Sequence, residues 1–326
     1  MSLLIFSWLI CALSSSLLLF VWKKFGIHDI PSHRSSHSKA IPTAAGICIS
    51  FVFLSFFLSA QLGLIPFERI SYGVAAGFII LTSIGFIDDW KELNYKIRLL
   101  SHAFAVSLVL TQQPLCPVEY ILWFFIGVGL VNACNFMDGL NGLLAGQWLL
   151  TVGFLLSAFA PMNSLFWILW IATLVYLFFN FPKAHVFIGD TGSTILGFSY
   201  FVLIFTLAFN QQYFPSFFVP HDSFVMFALF PLGFAWGDIA FTLVRRFLQK
   251  RSVTASFNDY GFHYKARFFK SHSLVTLFYV VLNCLLVFGA ACLFSNHQHI
   301  FLICSLYGIA QIFHWIFIYQ LSKGQK

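Results

Sequence analysis

The sequence predicts an all-α, polytopic membrane protein with about 11 transmembrane helices. Of its 326 residues, 60% are hydrophobic and 9% are charged, whereas soluble domains carry about 25% charged residues. Long apolar runs recur along the whole chain, and the 44 phenylalanines suit a surface that faces lipid. These observations exclude an ordinary water-soluble protein.

Each crossing of a bilayer needs about 20 mostly apolar residues, and the apolar runs define the helices in order. The first run lacks a preceding basic residue and a small-residue cleavage site, so we expect a retained helix rather than a signal peptide. No hydrophilic stretch is long enough for a separate soluble domain, so residues 1–326 are expected to form a single membrane domain. The predicted helices are 2–22, 44–64, 70–87, 97–112, 119–136, 143–159, 165–182, 193–211, 223–244, 274–294 and 300–320.

Basic residues identify the two faces of this arrangement. Of the 18 Lys and Arg residues, only Arg69 falls on the face that carries the N-terminus. The positive-inside rule therefore predicts that the other face is cytoplasmic. The formal charge of +7 is explained either by this topology signal and contact with anionic lipid or by a phosphorylated substrate. The cytoplasmic connections are 23–43, 88–96, 137–142, 183–192, 245–273 and the C-terminal tail.

The 11 acidic residues are concentrated on the same face. Carboxylates at membrane depth are costly and usually functional. Adjacent carboxylates such as Asp88 and Asp89 repel unless a cation or a proton relieves them, although an acid pair at a helix end in water is an alternative interpretation. The acids at predicted cytoplasmic helix ends, together with one inside the ninth helix, are Asp88, Asp89, Glu92, Asp138, Asp190 and Asp238.

Glycines and amides accompany these acids in the segments 132–142 and 185–193. Glycine permits close backbone approach, and the free N–H groups of a helix start attract phosphate. Mg²⁺ prefers oxygen ligands with room for water and substrate phosphates. The sequence therefore predicts a Mg²⁺–diphosphate site at the cytoplasmic helix ends, with the catalytic candidates Asp88, Asp89, Asp138 and Asp190.

With these motifs, the chain resembles the polyprenyl-phosphate N-acetylhexosamine-1-phosphate transferases, the superfamily that includes phospho-MurNAc-pentapeptide translocase. The resemblance runs from Asp29 to about Arg246. It implies a reaction in which polyprenyl phosphate attacks the β-phosphorus of a UDP-N-acetylhexosamine, giving a polyprenyl-diphosphate sugar and UMP. It also implies a Mg²⁺ cofactor, with Mn²⁺ as a substitute, in a bacterial inner membrane.

The resemblance assigns roles residue by residue. Asp190 matches the principal Mg²⁺ ligand. Asp88 and Asp89 match the essential acid pair, which is also a candidate for metal binding and of which one member has been proposed to deprotonate the lipid phosphate. Phe187 matches a ring that stacks on uracil. The loop near nucleotide and metal is matched by Asn135, Asp138 and Asn141.

The first loop suggests a subgroup. The run 29–37, Asp-Ile-Pro-Ser-His-Arg-Ser-Ser-His, resembles that of enzymes that start O-antigen assembly from UDP-N-acetylfucosamine, UDP-N-acetylquinovosamine or UDP-GlcNAc. The run from Asp238 to the Arg245-Arg246 pair resembles the same subgroup. The candidates for substrate binding from these two segments are Arg34, His37 and Lys39 in the first loop and Asp238, Arg245 and Arg246 at the end of the ninth helix.

Two segments depart from the family pattern. Residues 42–46 read Pro-Thr-Ala-Ala-Gly where the family has Pro-Arg-Gly-Gly-Gly, so part of a phosphate contact is either absent or supplied by Arg34 or Lys39. In the last cytoplasmic loop, His263 is the candidate for diphosphate contact, and an ordinary interfacial histidine is the alternative.

A transporter is the competing class, because many spans with intramembrane acids also fit an ion pathway. The acids gather on one face instead of lining a path, and no internal symmetry is apparent. Phospho-MurNAc-pentapeptide translocase is the rival within the enzyme class. We expect no nucleic-acid partner, and a homodimer stays open.

Overall fold

A computed structural model of the chain describes residues 2–31, 39–159, 162, 164–209, 233–252, 259–294, 312 and 314–320. These residues are almost entirely helical. The helices are α1 (Ser2–Phe25), α2 (Gly46–Gln61), α3 (Tyr72–Trp90), α4 (Tyr95–Leu110), α5 (Pro117–Met137), α6 (Leu143–Phe159), α7 (Phe166–Asn180), α8 (Gly189–Phe209), α9 (Gly233–Leu248), α10 (Gly261–Phe269) and α11 (His272–Phe294). Residues 314–320 are also helical.

Most predicted helices agree with these bounds to within a few residues. Two features fall in segments predicted as loops. Strand β1 (His28–Asp29) pairs antiparallel with β2 (Ile41–Pro42), and helix α10 occupies part of the 245–273 connection. A search for long apolar runs misses α10 because the helix has only nine residues and its apolar residues are interrupted by Lys265 and Arg267. The predicted segment 223–232 and most of 300–320 lie outside the described residues.

Length and composition support a membrane protein. Four described helices are long and apolar enough to cross a bilayer: Leu3–Phe25, Tyr72–Trp90, Pro117–Met137 and Gly189–Phe209. Shorter apolar helices accompany them, including α2, α6 and α7. Large apolar side chains such as Leu13, Phe125 and Phe178 are about 70% exposed, as expected for a surface in contact with lipid. The count of 11 spans stays a prediction.

Helix α8 forms the centre of the described bundle. Most of its residues are buried, and it packs against α2, α3 and α5. Aromatic pairs fill these contacts, with ring centroids 5.5 Å apart for Phe78 and Phe198 and 5.2 Å apart for Trp123 and Phe205. This packing sets the N-terminus of α8 beside the C-terminus of α3 and brings the predicted acids together.

The C-terminal helices complete the structure around the same end. Helix α9 packs against α5, α10 and α11. Helix α11 also packs along α6, where Asn283 hydrogen-bonds to Gln147. Through these contacts α10 lies next to the turn that connects α5 to α6.

Candidate active site

Asp88 and Asp190 converge on a single cation. Asp88 lies buried near the C-terminal end of α3, and Asp190 lies in the first turn of α8. The Arg98 guanidinium of α4 donates from Nη1 to Asp88 Oδ2 at 2.9 Å and to Asp190 Oδ2 at 2.8 Å. Two carboxylate oxygens from different helices therefore face one point, and Arg98 offsets their repulsion.

Asp89 has a different set of partners. Its carboxylate accepts hydrogen bonds from the backbone N–H groups of Asp190 at 2.8 Å and Thr191 at 3.0 Å, and from the Thr191 hydroxyl at 2.6 Å. The first N–H groups of a helix lack partners within the helix, and a negative charge there is stabilising. Asp89 thus caps α8 from a neighbouring helix and fixes the backbone that carries Asp190.

Gly189 makes this cap possible. Its φ of +70° lies in the left-handed region that favours glycine. A Cβ added at this position would overlap the Asp89 carboxylate and lie 2.7 Å from its Cγ. The glycine in the Ile-Gly-Asp-Thr-Gly segment is therefore required by the α3–α8 contact.

Asp138 is the C-cap residue of α5. Solvent reaches the residue on one side. Desolvation by surrounding protein, followed by the negative charge of Asp89, raises the pKa of the Asp138 carboxyl above its usual range. Solvent screening on the open side limits the size of this shift. Asp138 is the predicted site acid best suited to exchange a proton near neutral pH.

The turn after Asp138 is held by amides. The Asn180 side chain accepts from the Gly142 backbone N–H at 2.6 Å and donates to the Val186 carbonyl at 2.9 Å. Asn141 donates to the Pro182 carbonyl at 3.4 Å, and its own carbonyl accepts from the Thr276 hydroxyl at 2.8 Å. Asn141 and Asn180 therefore connect the α5–α6 turn to the segment that leads into α8.

Asn135 lies in the last turn of α5, and Phe187 lies just before the start of α8. The Asn135 carbonyl accepts from the Asp138 N–H at 3.3 Å. The Phe187 N–H donates to the Pro42 carbonyl at 2.7 Å, and its carbonyl accepts from the Ala45 N–H at 3.1 Å. The atypical first-loop segment 42–46 is thus bonded directly to the predicted uracil-stacking position.

His263 of α10 faces the same turn. A Cβ at Gly139 would lie 2.7 Å from His263 Nε2, so the two elements are in close contact. Burial, followed by the positive charge of Arg267, lowers the pKa of His263 to about 4. The imidazole is therefore neutral at neutral pH. Its Nδ1 atom is buried and has no hydrogen-bond partner among the described residues.

The remaining predicted residues are distributed differently. Asp238 and Arg246 are each 0% exposed, which leaves no side-chain surface for a substrate. Arg246 and Arg245 both pair with Asp259, while Asp238 accepts from the Tyr279 hydroxyl. Lys39 lies exposed where the described first loop resumes. Two first-loop candidates lie outside the described residues: Arg34 and His37.

Sequence reasoning missed the partners that organise this site. Arg98 was not among the predicted site residues, yet it joins two of the predicted acids. The available signal was a basic residue in the first turn of the helix that follows the acid pair. Thr191 follows Asp190 directly, and its hydroxyl completes the cap.

The donor set fits Mg²⁺. Within the parts of the chain that the structure describes, no group of three or more His, Cys, Asp or Glu residues is arranged to hold a metal ion. Mg²⁺ is commonly bound by one or two carboxylates together with water and substrate phosphates. The convergent oxygens of Asp88 and Asp190 can supply those two carboxylates once the Arg98 guanidinium moves away from them.

Comparison with known proteins supplies the family. Residues 71–208 match glycosyl transferase family 4. The chain is 30% identical over 309 residues to the undecaprenyl-phosphate alpha-N-acetylglucosaminyl 1-phosphate transferase of Thermotoga maritima, an alignment that covers 91% of this chain and 86% of that protein. The chain belongs to glycosyl transferase family 4.

Other relatives have similar names. The chain is 29% identical over 278 residues to the probable undecaprenyl-phosphate N-acetylglucosaminyl 1-phosphate transferase of Bacillus subtilis, covering 78% of this chain and 74% of that protein. It is 27% identical over 304 residues to the decaprenyl-phosphate N-acetylglucosaminephosphotransferase of Mycobacterium leprae, covering 80% and 75%. The family predicted from the motifs is confirmed, and the chain is a membrane sugar-1-phosphate transferase. The matched segment 71–208 includes Asp88, Asp89, Asp138 and Asp190.

Proposed function

We propose that this protein transfers an N-acetylhexosamine 1-phosphate from a UDP-sugar to undecaprenyl phosphate and releases UMP, in a Mg²⁺-dependent reaction at the cytoplasmic face of a bacterial inner membrane. The convergence of Asp88 and Asp190 carries the proposal. A pair of carboxylates facing one point beside a helix N-terminus suits the binding of a metal–diphosphate complex. Relatives named as undecaprenyl-phosphate transferases support the lipid acceptor.

Asp88 and Asp190 would hold Mg²⁺, which when bound neutralises charge on the diphosphate and on the leaving UMP. Asp89 keeps Asp190 in place through the cap on α8. Arg98 lies between the two carboxylates and is a cation available for a substrate phosphate once it leaves them. Phosphoryl transfer depends mainly on positioning and electrostatics, and these residues supply both.

Proton transfer is assigned to Asp138 in preference to Asp88. Asp88 pairs with Arg98, and a neighbouring positive charge favours the ionised, weakly basic form of a carboxyl. The raised pKa of Asp138 makes it the better acceptor of a proton from the lipid phosphate. The lipid phosphate has little need of a base, because a phosphate monoester has a second pKa of about 6 and is largely ionised at neutral pH.

The position of the site at helix ends resolves a solubility mismatch between the substrates. The prenyl chain remains in lipid while the nucleotide sugar arrives from water. The Lys and Arg distribution supports a cytoplasmic location for this end. Reporter fusions in the segments 23–43, 88–96 and 245–273 should report the cytoplasm. A periplasmic report from all three would contradict the proposed orientation.

A role in starting O-antigen assembly is supported by the first-loop run 29–37. The names of the relatives favour GlcNAc as the sugar, and the loop keeps N-acetylfucosamine and N-acetylquinovosamine as alternatives.

The test is UMP release from purified protein supplied with undecaprenyl phosphate and, one at a time, UDP-GlcNAc, UDP-N-acetylfucosamine, UDP-N-acetylquinovosamine and UDP-MurNAc-pentapeptide. Release with one of the first three, dependent on the lipid, is expected. Release with the pentapeptide substrate alone would favour the translocase reaction. No release with any donor would contradict the proposal.

A further inference from the structure

A second polar cluster lies on the face of α10 opposite His263. The site formed by Asp88, Asp89, Asp138 and Asp190 is called the acid site below. The Lys265 amine donates to the Tyr279 hydroxyl at 2.7 Å and lies 3.0 Å from His314 Nε2. The Tyr279 hydroxyl in turn donates to Asp238 Oδ2. His314 Nε2 is 3.7 Å from Asp238 Oδ1. These four residues, the anchor network, are all buried, with side chains from α9, α10, α11 and the helix at 314–320.

Its chemistry indicates an internal support rather than a binding site. Lys265 is 1% exposed and Asp238 is 0% exposed, so neither side chain is open to a nucleotide. Burying an amine and a carboxylate is costly unless each is paired and hydrogen-bonded. The chain Lys265–Tyr279–Asp238 provides that pairing, because the tyrosine hydroxyl accepts from one group and donates to the other.

Helix α10 connects this network to the acid site. Positions 261 and 265 are four residues apart and share one face of the helix. On that face, a Cβ at Gly261 would overlap the Asp238 carboxylate. Position 263 lies about 200° around the helix from position 261, and His263 contacts the turn at Gly139. One face of α10 is therefore fixed to the anchor network while the other meets the site.

We propose that the anchor network holds α10 in place and so positions His263 against the Asp138–Gly139 turn, making Lys265 and Tyr279 positioning residues for the transfer reaction. The catalytic part of this inference rests on the proposed function. It also assigns Asp238 a new role, because the carboxylate acts through α10 instead of touching the substrate.

The test measures α10 directly and turnover separately, on the purified full chain. The variants are Tyr279→Phe, which removes one hydroxyl, and Lys265→Met, which removes the amine. Tyr72→Phe and Lys23→Met are the matched controls, because both residues lie outside the network and the acid site. Backbone hydrogen exchange over 261–269 is followed by mass spectrometry, and UMP release gives kcat and KM.

Both network variants should speed exchange over 261–269 by about tenfold or more, as expected for loss of local protection. They should also lower kcat by about tenfold with little change in KM for the UDP-sugar, the pattern of an interaction used in the transition state. Neither control should alter exchange or turnover. The double variant D238N/K265M should regain protection relative to Lys265→Met, because it no longer buries an unpaired carboxylate.

Unchanged hydrogen exchange over 261–269 in both network variants would refute the claim that the network holds α10 in place, whether or not the protein transfers any tested sugar. Faster exchange with unaltered kcat would overturn the positioning role. A raised KM with normal exchange would also contradict the proposal, because it would indicate direct substrate contact. If Lys265→Met fails to fold, Tyr279→Phe decides the outcome alone.

Discussion

Replacing Gly189 with alanine is expected to disable the site by expelling the Asp89 carboxylate from its cap. Gly189 has a φ of +70°, and a non-glycine residue in that conformation costs about 1–2 kcal/mol. The added Cβ would also overlap the Asp89 oxygens and lie 2.7 Å from Cγ. The displaced carboxylate would lose at least one of its three hydrogen bonds, and one hydrogen bond to a charged group contributes about 1.5–3 kcal/mol.

The total is about 2.5–5 kcal/mol, which should appear as a lower midpoint of thermal unfolding in detergent. Turnover should fall by more than tenfold, about 1.4 kcal/mol of transition-state stabilisation, because Asp190 loses the backbone position that Asp89 fixes. Both quantities can be measured on the same preparation, with UMP release as the activity assay.

Gly63→Ala is the matched control. Gly63 also has a φ of +70°, and the nearest atom to an added Cβ is an Arg69 nitrogen at 3.9 Å. This variant should lose only the conformational cost of about 1–2 kcal/mol and keep normal turnover. Equal stability and equal turnover in the two variants would refute the cap as the reason for glycine at position 189.

Three further predictions concern individual charges. Asp138→Asn should lower turnover and remove the loss of activity that wild type shows as pH falls through the raised pKa of Asp138, as measured by pH–rate profiles; an unchanged acid limb would exclude Asp138 as the base. Wild type should lose stability as pH falls from about 6.5 towards 4, because unfolding frees His263 to bind a proton. His263→Gln should lose less stability over that range. An equal fall in melting temperature with pH for the two proteins would contradict this. Without divalent cations, Arg98→Gln should melt at a lower temperature than wild type, and it should gain more stability from added Mg²⁺, since the metal replaces the lost positive charge between the carboxylates. Arg69→Gln, the control, should show neither effect. An equal Mg²⁺ effect in both variants would argue that Mg²⁺ and the Arg98 guanidinium do not occupy the same position.

The acid cluster could be predicted from the sequence because it depends only on the order in which the helices cross the membrane. Helix ends that alternate between two faces bring Asp88, Asp138 and Asp190 to one end of the bundle, whatever the exact packing. The different partners and roles of Asp88 and Asp89 could not be predicted from the sequence. Neighbours on a helix point about 100° apart, and their partners come from two different helices, α4 at a separation of 10 residues and α8 at a separation of 101.

The C-terminal part illustrates a second limit. Asp238 matched a family motif near the site, but its neighbours Lys265, Tyr279 and His314 are brought together by packing that no sequence period reveals. Lys265, one of the basic residues that interrupt the apolar pattern of α10, belongs to the anchor network. The span count depends on 210–232 and 295–311, which lie outside the described residues.

The most direct test of the acid site is the turnover of Asp190→Asn. A neutral amide is a poor ligand for a hard cation, and the variant should remain folded while its rate of UMP release falls by about 100-fold or more, roughly 2.7 kcal/mol. Glu92→Gln, a change at an exposed acid beyond the end of α3, is the control and should keep normal turnover. A chelator should abolish wild-type release, and Mg²⁺ or Mn²⁺ should restore it. Undiminished release by Asp190→Asn, or release that persists in the chelator, would contradict a Mg²⁺-dependent transferase centred on Asp190.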